Sequence, residues 1–196
     1  AVVCVLHRPE ADHPRDGAID LKPEDRVIVA LDFERADEAR QLVNDLGDRA
    51  TWYKVGLQLL TAEGPQPVRD LVAAGKKVFL DLKLLEIPNS VAGGVTSAGR
   101  LGASMVTVHA SGGAEVLRAA VDAAAPFPDL KVLAVTVITS LRDEDLNSIG
   151  VGGTTEEQVL RLATLAEMAG CHGVVASPKE ASMLRKSLPD RMLIVT

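Results

Sequence analysis

Aromatic residues are scarce in this chain: three Phe, one Trp and one Tyr among 196 residues. Ala, Val and Leu supply the apolar bulk instead, which suits helices packed on parallel strands better than an aromatic-rich sandwich. Cysteine is scarcer still. Cys4 and Cys171 stand far apart, with no CxxC and no ligand spacing, so neither a disulfide framework nor a zinc site is indicated. A reducing, cytoplasmic setting is the default for such a sequence. No run approaches the roughly 18 apolar residues of a membrane span, and the opening "AVVCVL" is too short for a signal h-region and lacks a basic n-region. The chain opens at Ala1 rather than Met, as a processed or trimmed chain would. Runs of Lys and Arg are missing too. With a formal net charge of −6, that absence argues against nonspecific nucleic-acid binding and favours solubility.

What is present is an alternation. Residues 1–25 read as an extended N-terminal arm, because "HRPEADHPRDGAIDLKPED" is polar, rich in Pro and Asp, and without periodicity. From residue 26 to 196, short β-branched runs alternate with longer amphipathic segments. The expected strands are 26–32, 51–57, 77–83, 104–110, 131–139, 172–177 and 192–196. Helices are expected at 36–46, 63–74, 88–101, 112–124, 154–169 and 178–187, with Thr155 ahead of "EEQVLRLATLAEMAG" and Gly170 as its stop.

Strands that are apolar on both faces and alternate with helices form a parallel sheet covered by helices. An open doubly wound sheet and a closed (β/α)8 TIM barrel both satisfy that pattern. Seven units of roughly 25 residues each favour the barrel. So does the position of the polar residues, because Asp32, Lys54, Asp81, Lys83, His109, Thr139 and Ser140 all fall at C-terminal strand ends. Barrel sites are assembled at that rim from several strands at once, whereas an open sheet concentrates them at a switch point. The count is one short. Only seven strands are found, so the chain reads as a barrel whose C-terminal part is missing.

The densest chemistry is in "VFLDLKLLEIPNSV". Residues i and i+2 of a strand share a face, so Asp81 and Lys83 are expected to enter the barrel mouth while Leu80 and Leu82 turn to the helices. Lys54 and Asp32, on neighbouring strand ends, could reach the same space. Glu86 follows where the chain leaves the strand, and Pro88 stands in the first turn of the next helix. Unlike charges alternating in a partly dehydrated mouth are stiff. One pair at 4 Å is worth roughly 4 kcal/mol at an effective dielectric near 20, before desolvation. Such an array can hold a Lys protonated where negative charge develops; it can equally be an ion-pair network that only ties the rim together.

With these residues in view, the chain resembles the bacterial orotidine 5′-monophosphate decarboxylases. The likeness rests on "ALD", "KVGLQLL", "FLDLKxxxIPN", "VTVHASGG", "AVTVITSL" and "GVVASPKEA", in order from about Arg26 to Thr196. It implies decarboxylation of orotidine 5′-monophosphate to uridine 5′-monophosphate in pyrimidine synthesis, with no cofactor and no metal. In the family, the lysine matching Lys83 protonates C6 of the pyrimidine, and the acid matching Asp81 lies beside the substrate carboxylate. By the same likeness Lys54 contacts the ribose and anchors Asp81, Asp32 binds ribose hydroxyls, and Thr139 and Ser140 read the pyrimidine edge. Ile87 and Pro88 belong to the Ile-Pro-Asn that marks the decarboxylase branch. The acid matching Glu86 serves a partner's site, and Ser90 approaches the partner's ribose, which implies a homodimer with shared sites.

Three letters depart from the pattern. Where the family reads "DLKFHDIPNT", this chain reads "DLKLLEIPNS": Leu85 stands for His, Glu86 for Asp, and Ser90 for Thr. The family's Gly-Ile-Arg and Gly-Arg phosphate grips have no counterpart in the sequence. Two other functions remain open. One is a magnesium-dependent sugar-phosphate lyase or decarboxylase of the sister branch, which usually carries an acid where Lys54 stands; the other is a non-catalytic nucleotide-binding barrel. His109 reads as a structural or supporting residue ahead of an acid–base catalyst. "GVGGTTEEQV" lacks the lysine of a P-loop and belongs, by the resemblance, to a loop covering the pyrimidine.

Overall fold

The computed structural model of the chain describes residues 3–7 and 26–196. Eight strands close into a barrel in the order of the sequence. They are β1 (Val3–His7), β2 (Val27–Ala30), β3 (Trp52–Gly56), β4 (Lys77–Leu84), β5 (Met105–His109), β6 (Lys131–Val135), β7 (Gly173–Val175) and β8 (Leu193–Val195). From β2 to β8 every neighbouring pair is parallel. The seven expected strands are these seven, each trimmed or shifted by a few residues at its ends.

The eighth place is filled from the other end of the chain. β1 runs antiparallel to both of its neighbours, pairing Val3 with Val29 on β2 and Leu6 with Val195 on β8. Two further backbone bonds, Val5 N–H to Thr196 O at 2.9 Å and Thr196 N–H to Val5 O at 3.0 Å, complete the closure. Val3–His7 therefore leaves the arm expected over 1–25 and joins the barrel wall; residues 8–25 lie outside the described residues. The physical reason is plain. Seven parallel strands leave one open edge on β2 and one on β8, and a short β-branched segment satisfies both rows of unpaired backbone groups.

The helices are α1 (Ala36–Leu46), α2 (Leu57–Glu63), α3 (Gln66–Ala73), α4 (Pro88–Arg100), α5 (Ala114–Ala124), α6 (Asp143–Ser148), α7 (Thr155–Met168) and α8 (Ala181–Ser187). The helix expected over 63–74 is α3, which starts only at Gln66 because Gly64 takes a positive φ of 65° and Pro65 follows it. α2 and α6 were not anticipated. The cap of α7 is Thr154 rather than Thr155: its hydroxyl accepts from Glu157 N–H while the Glu157 carboxylate accepts from Thr154 N–H.

Two apolar layers hold the barrel. Outside, between strands and helices, lie residues such as Leu59, Leu71, Val95, Leu117, Val159 and Leu184. Inside, the bore is filled by Leu6, Ile28, Trp52, Phe79, Met105, Leu133, Leu193 and Val195. Gly173 makes that filling possible, since a Cβ there would lie 2.6 Å from the Leu193 backbone oxygen and 2.9 Å from Leu133. The apolar plug occupies the N-terminal end of the parallel strands. Charges are left to the opposite mouth.

Candidate active site

The mouth gathers four charges into a chain of alternating sign. The Lys54 ammonium donates to Asp32 Oδ1 at 2.8 Å and lies 4.0 Å from Asp81 Oδ2. The Lys83 ammonium donates to the same Asp81 oxygen at 2.6 Å. Side-chain exposure falls from 42% at Asp32 to 12% at Lys54 and 10% at Asp81, then rises to 37% at Lys83. The array thus runs from solvent, through a dehydrated centre, and back to a reachable ammonium. Buried charges persist only when paired and hydrogen-bonded, and Asp81 has two cations and a hydroxyl around it.

Each residue arrives by backbone register. Ala30 is level with Lys54 across β2 and β3, and Gly56 is level with Asp81 across β3 and β4. The Leu31 N–H still bonds to Lys54 O at 2.9 Å, which fixes Asp32 two residues beyond the end of β2. Asp81 and Lys83 do meet, though not by simple alternation. Between β4 and β5 the register passes from Leu80 opposite Val106 to Leu84 opposite Val108, so Asp81, Leu82 and Lys83 face the single residue Thr107. Lys83 sits at φ 50°, the one positive-φ non-glycine among the described residues. Thr107 is fully buried. Its hydroxyl donates to Asp81 Oδ1 at 2.9 Å and accepts from Lys83 N–H at 2.8 Å. Sequence reading passed over this residue, which looked like one more polar letter in the "MVTVH" strand.

His109, at the end of β5, is half-buried. Burial, and then the Lys83 charge, hold its imidazole below the ordinary value and so neutral. Cys4 on β1 packs against the bore layer, and burial raises its thiol pKa.

The rest of the expected site lies outside this cluster. Glu86 is exposed, and its carboxylate is held below its ordinary range by the Ile87 N–H at 2.9 Å and by the Ser90 hydroxyl. With Leu85, Ile87, Pro88, Glu115 and Val116 it lines a shallow cleft of about 330 Å³. Ser90 is exposed on the first turn of α4. Thr139 and Ser140 are exposed in a turn beyond β6, which ends at Val135 rather than at 139. Thr136, just past β6, donates both its backbone N–H at 3.1 Å and its hydroxyl at 2.9 Å to Val175 O. Among the described residues no His, Cys, Asp and Glu side chains cluster as a metal would require, and no helix is long and apolar enough to cross a membrane.

The barrel and its charged mouth match one family in particular: the profile described as Orotidine 5'-phosphate decarboxylase / HUMPS family covers residues 25–196. The chain belongs to that family. It is 49% identical over 173 residues to the orotidine 5'-phosphate decarboxylase of Idiomarina loihiensis, covering 87% of this chain and 74% of the relative. It is 46% identical over 176 residues to the enzyme of the same name from Anaeromyxobacter dehalogenans, covering 89% and 77%. Among solved structures, the crystal structure of orotidine 5'-phosphate decarboxylase from Lactobacillus acidophilus superposes with a TM-score of 0.79 at 36% identity, covering 84% of this chain and 77% of that one. Membership of the orotidine 5'-phosphate decarboxylase family agrees with the barrel.

Proposed function

We propose that the chain decarboxylates orotidine 5′-monophosphate to uridine 5′-monophosphate, with the Lys54–Asp81–Lys83 array as its reaction centre. The observation that carries this reading is the buried Asp81 carboxylate between two ammoniums, one of them reachable from solvent, in a member of this family. The substrate carboxylate takes the place beside Asp81. The bond from C6 to the carboxylate carbon breaks heterolytically, carbon dioxide departs, and the electron pair stays on C6. Lys83 Nζ then delivers a proton to C6 and regains one from solvent. An ammonium already oriented by a 2.6 Å bond to Asp81 needs little reorganisation as that negative charge develops.

Lys54 and Asp32 face the ribose in this reading, while Thr139 and Ser140 meet the pyrimidine edge when their turn closes over it. Glu86 serves a second copy of the chain. Its exposed carboxylate bonds to the Ile87 N–H and the Ser90 hydroxyl, and the exposed Leu85 and Ile87 beside it give that loop an apolar surface to bury. Ser90, on the same surface, approaches the partner's ribose, so the working unit is a homodimer with shared sites.

Turnover followed by loss of the orotate absorbance tests the reading. Wild-type protein consumes orotidine 5′-monophosphate without added metal, and Lys83→Ala abolishes turnover while far-ultraviolet circular dichroism stays native. Substantial turnover by pure Lys83→Ala removes Lys83 as the proton donor. Magnesium-dependent turnover of a ribulose-type phosphate selects the sister-branch reaction. Binding of a uridine monophosphate analogue without turnover selects a non-catalytic barrel.

A further inference from the structure

We infer that Thr107 is a positioning residue for the decarboxylation: its hydroxyl holds the Asp81–Lys83 bulge in the one conformation that presents the Lys83 ammonium to the site. The inference rests on the proposed role of Lys83. Three observations carry it. Three residues of β4 stand opposite Thr107 alone, so the β4–β5 ladder cannot satisfy their backbone in the regular way. Lys83, at the end of that excess, adopts φ 50°, which a side chain with a Cβ resists. The Thr107 hydroxyl then makes two bonds at once, donating to Asp81 Oδ1 and accepting from Lys83 N–H.

A hydroxyl has one proton to give and lone pairs to receive with, so both ends of the bulge are tied to a single buried atom. Non-glycine residues in the left-handed region persist when their surroundings over-determine them. Here the determinants are the Lys83 N–H bond to Thr107 and the Lys83 Nζ bond to Asp81, itself held by Thr107. Without the hydroxyl, the Lys83 N–H and one Asp81 oxygen lose their partner inside the protein. The peptide is then free to relax toward ordinary φ, which swings the ammonium out of line.

Two substitutions separate this role from packing. Thr107→Val keeps the shape and removes the hydroxyl; Thr107→Ser keeps the hydroxyl and removes the methyl. We expect Thr107→Val to lose about a hundredfold in kcat, the scale of a misplacement near 1 Å, with KM within about threefold of wild type. Thr107→Ser stays within about threefold in kcat although it loses the packed methyl. A packing role gives the reverse order of activities and overturns the inference. Crystal structures of the wild type and of Thr107→Val read the geometry without reference to turnover. Lys83 leaves its positive φ in the variant, and a Lys83 that keeps both that φ and its contact with Asp81 overturns the inference whatever the rates. If the wild type turns over no orotidine 5′-monophosphate, the functional reading fails, and the Lys83 geometry alone decides the positioning.

Discussion

Two halves of one stretch, "DLKLLEIPNS", are built on opposite principles. In the first, Asp81 and Lys83 are fixed by partners from elsewhere in the chain: Lys54 from β3 and Thr107 from β5. In the second, Leu85, Glu86 and Ile87 are exposed, and among the described residues the Glu86 carboxylate bonds to groups within four residues of itself. The contrast separates a buried cluster tied together by long-range partners from an exposed loop held by its own neighbours. Charge that must stay in one place is held by long-range partners at low exposure. The exposed Glu86 charge is held locally, by the Ile87 N–H and the Ser90 hydroxyl.

The comparison can be broken first at its anchored end. Asp81→Ala leaves two ammoniums facing each other and the Thr107 hydroxyl without its acceptor. Removing one partner of a buried pair costs about 3 kcal/mol, which for a chain of this size lowers Tm by roughly 6–12 °C. Turnover in the absorbance assay falls at least a thousandfold with it. Glu86→Ala, by contrast, shifts Tm by no more than about 2 °C, because exposed groups change stability by about 0.5 kcal/mol or less. Equal destabilisation by the two changes would erase the distinction.

The exposed half is probed by Ile87→Asp. Sedimentation velocity is expected to show the dimer giving way to monomer, with the melt of the monomer unchanged within about 2 °C. A dimer that survives this change does not bury the Leu85–Ile87 surface.

A last effect is on pH. His7, His109 and His172 are all held below the ordinary imidazole value, chiefly by burial. The unfolded chain therefore binds more protons than the folded one as pH falls below about 6.5. Stability accordingly rises with pH through that window and is lost below it. A Tm series from pH 7.5 to 5.5 should decline by a few degrees. A flat series would show that the three imidazoles protonate freely in the fold.

Much of the fold was legible because its signals are local. Alternating apolar runs and helices reveal themselves within some 25 residues, and α1 spans 36–46 as the periodicity indicated. β1 was not legible. "VCVLH" carries too few residues for a pattern, and what makes it a strand is an open edge on β8, nearly the whole chain away. α6 escaped for a related reason: "DEDLNS" buries only Leu146 and so has no apolar stripe to read. At the site, Asp32, Lys54, Asp81 and Lys83 were found from strand-end charge and are brought together. Thr107 was missed because its importance lies in a bulge, and a register shift leaves no mark in residue spacing. For Glu86, Ser90, Thr139 and Ser140 the residue types point to chemistry, but all four are exposed and none joins the buried cluster.

The antiparallel closing strand also sets the order in which the barrel can be assembled. Each parallel pair from β2 to β8 joins segments that are near neighbours in sequence, so they can form one after another as the chain is made. The seam is different: the His7 ring meets the Thr196 hydroxyl across 189 positions. Contacts of such separation are slow to form, since nearly the whole chain must be in place before they reward its ordering. Among the strand pairs described, the seam is therefore the slowest to close. Until it does, the growing sheet has an unpaired edge at either end, and it is in this interval, rather than in the finished barrel, that the protein is most exposed to pairing with its own copies.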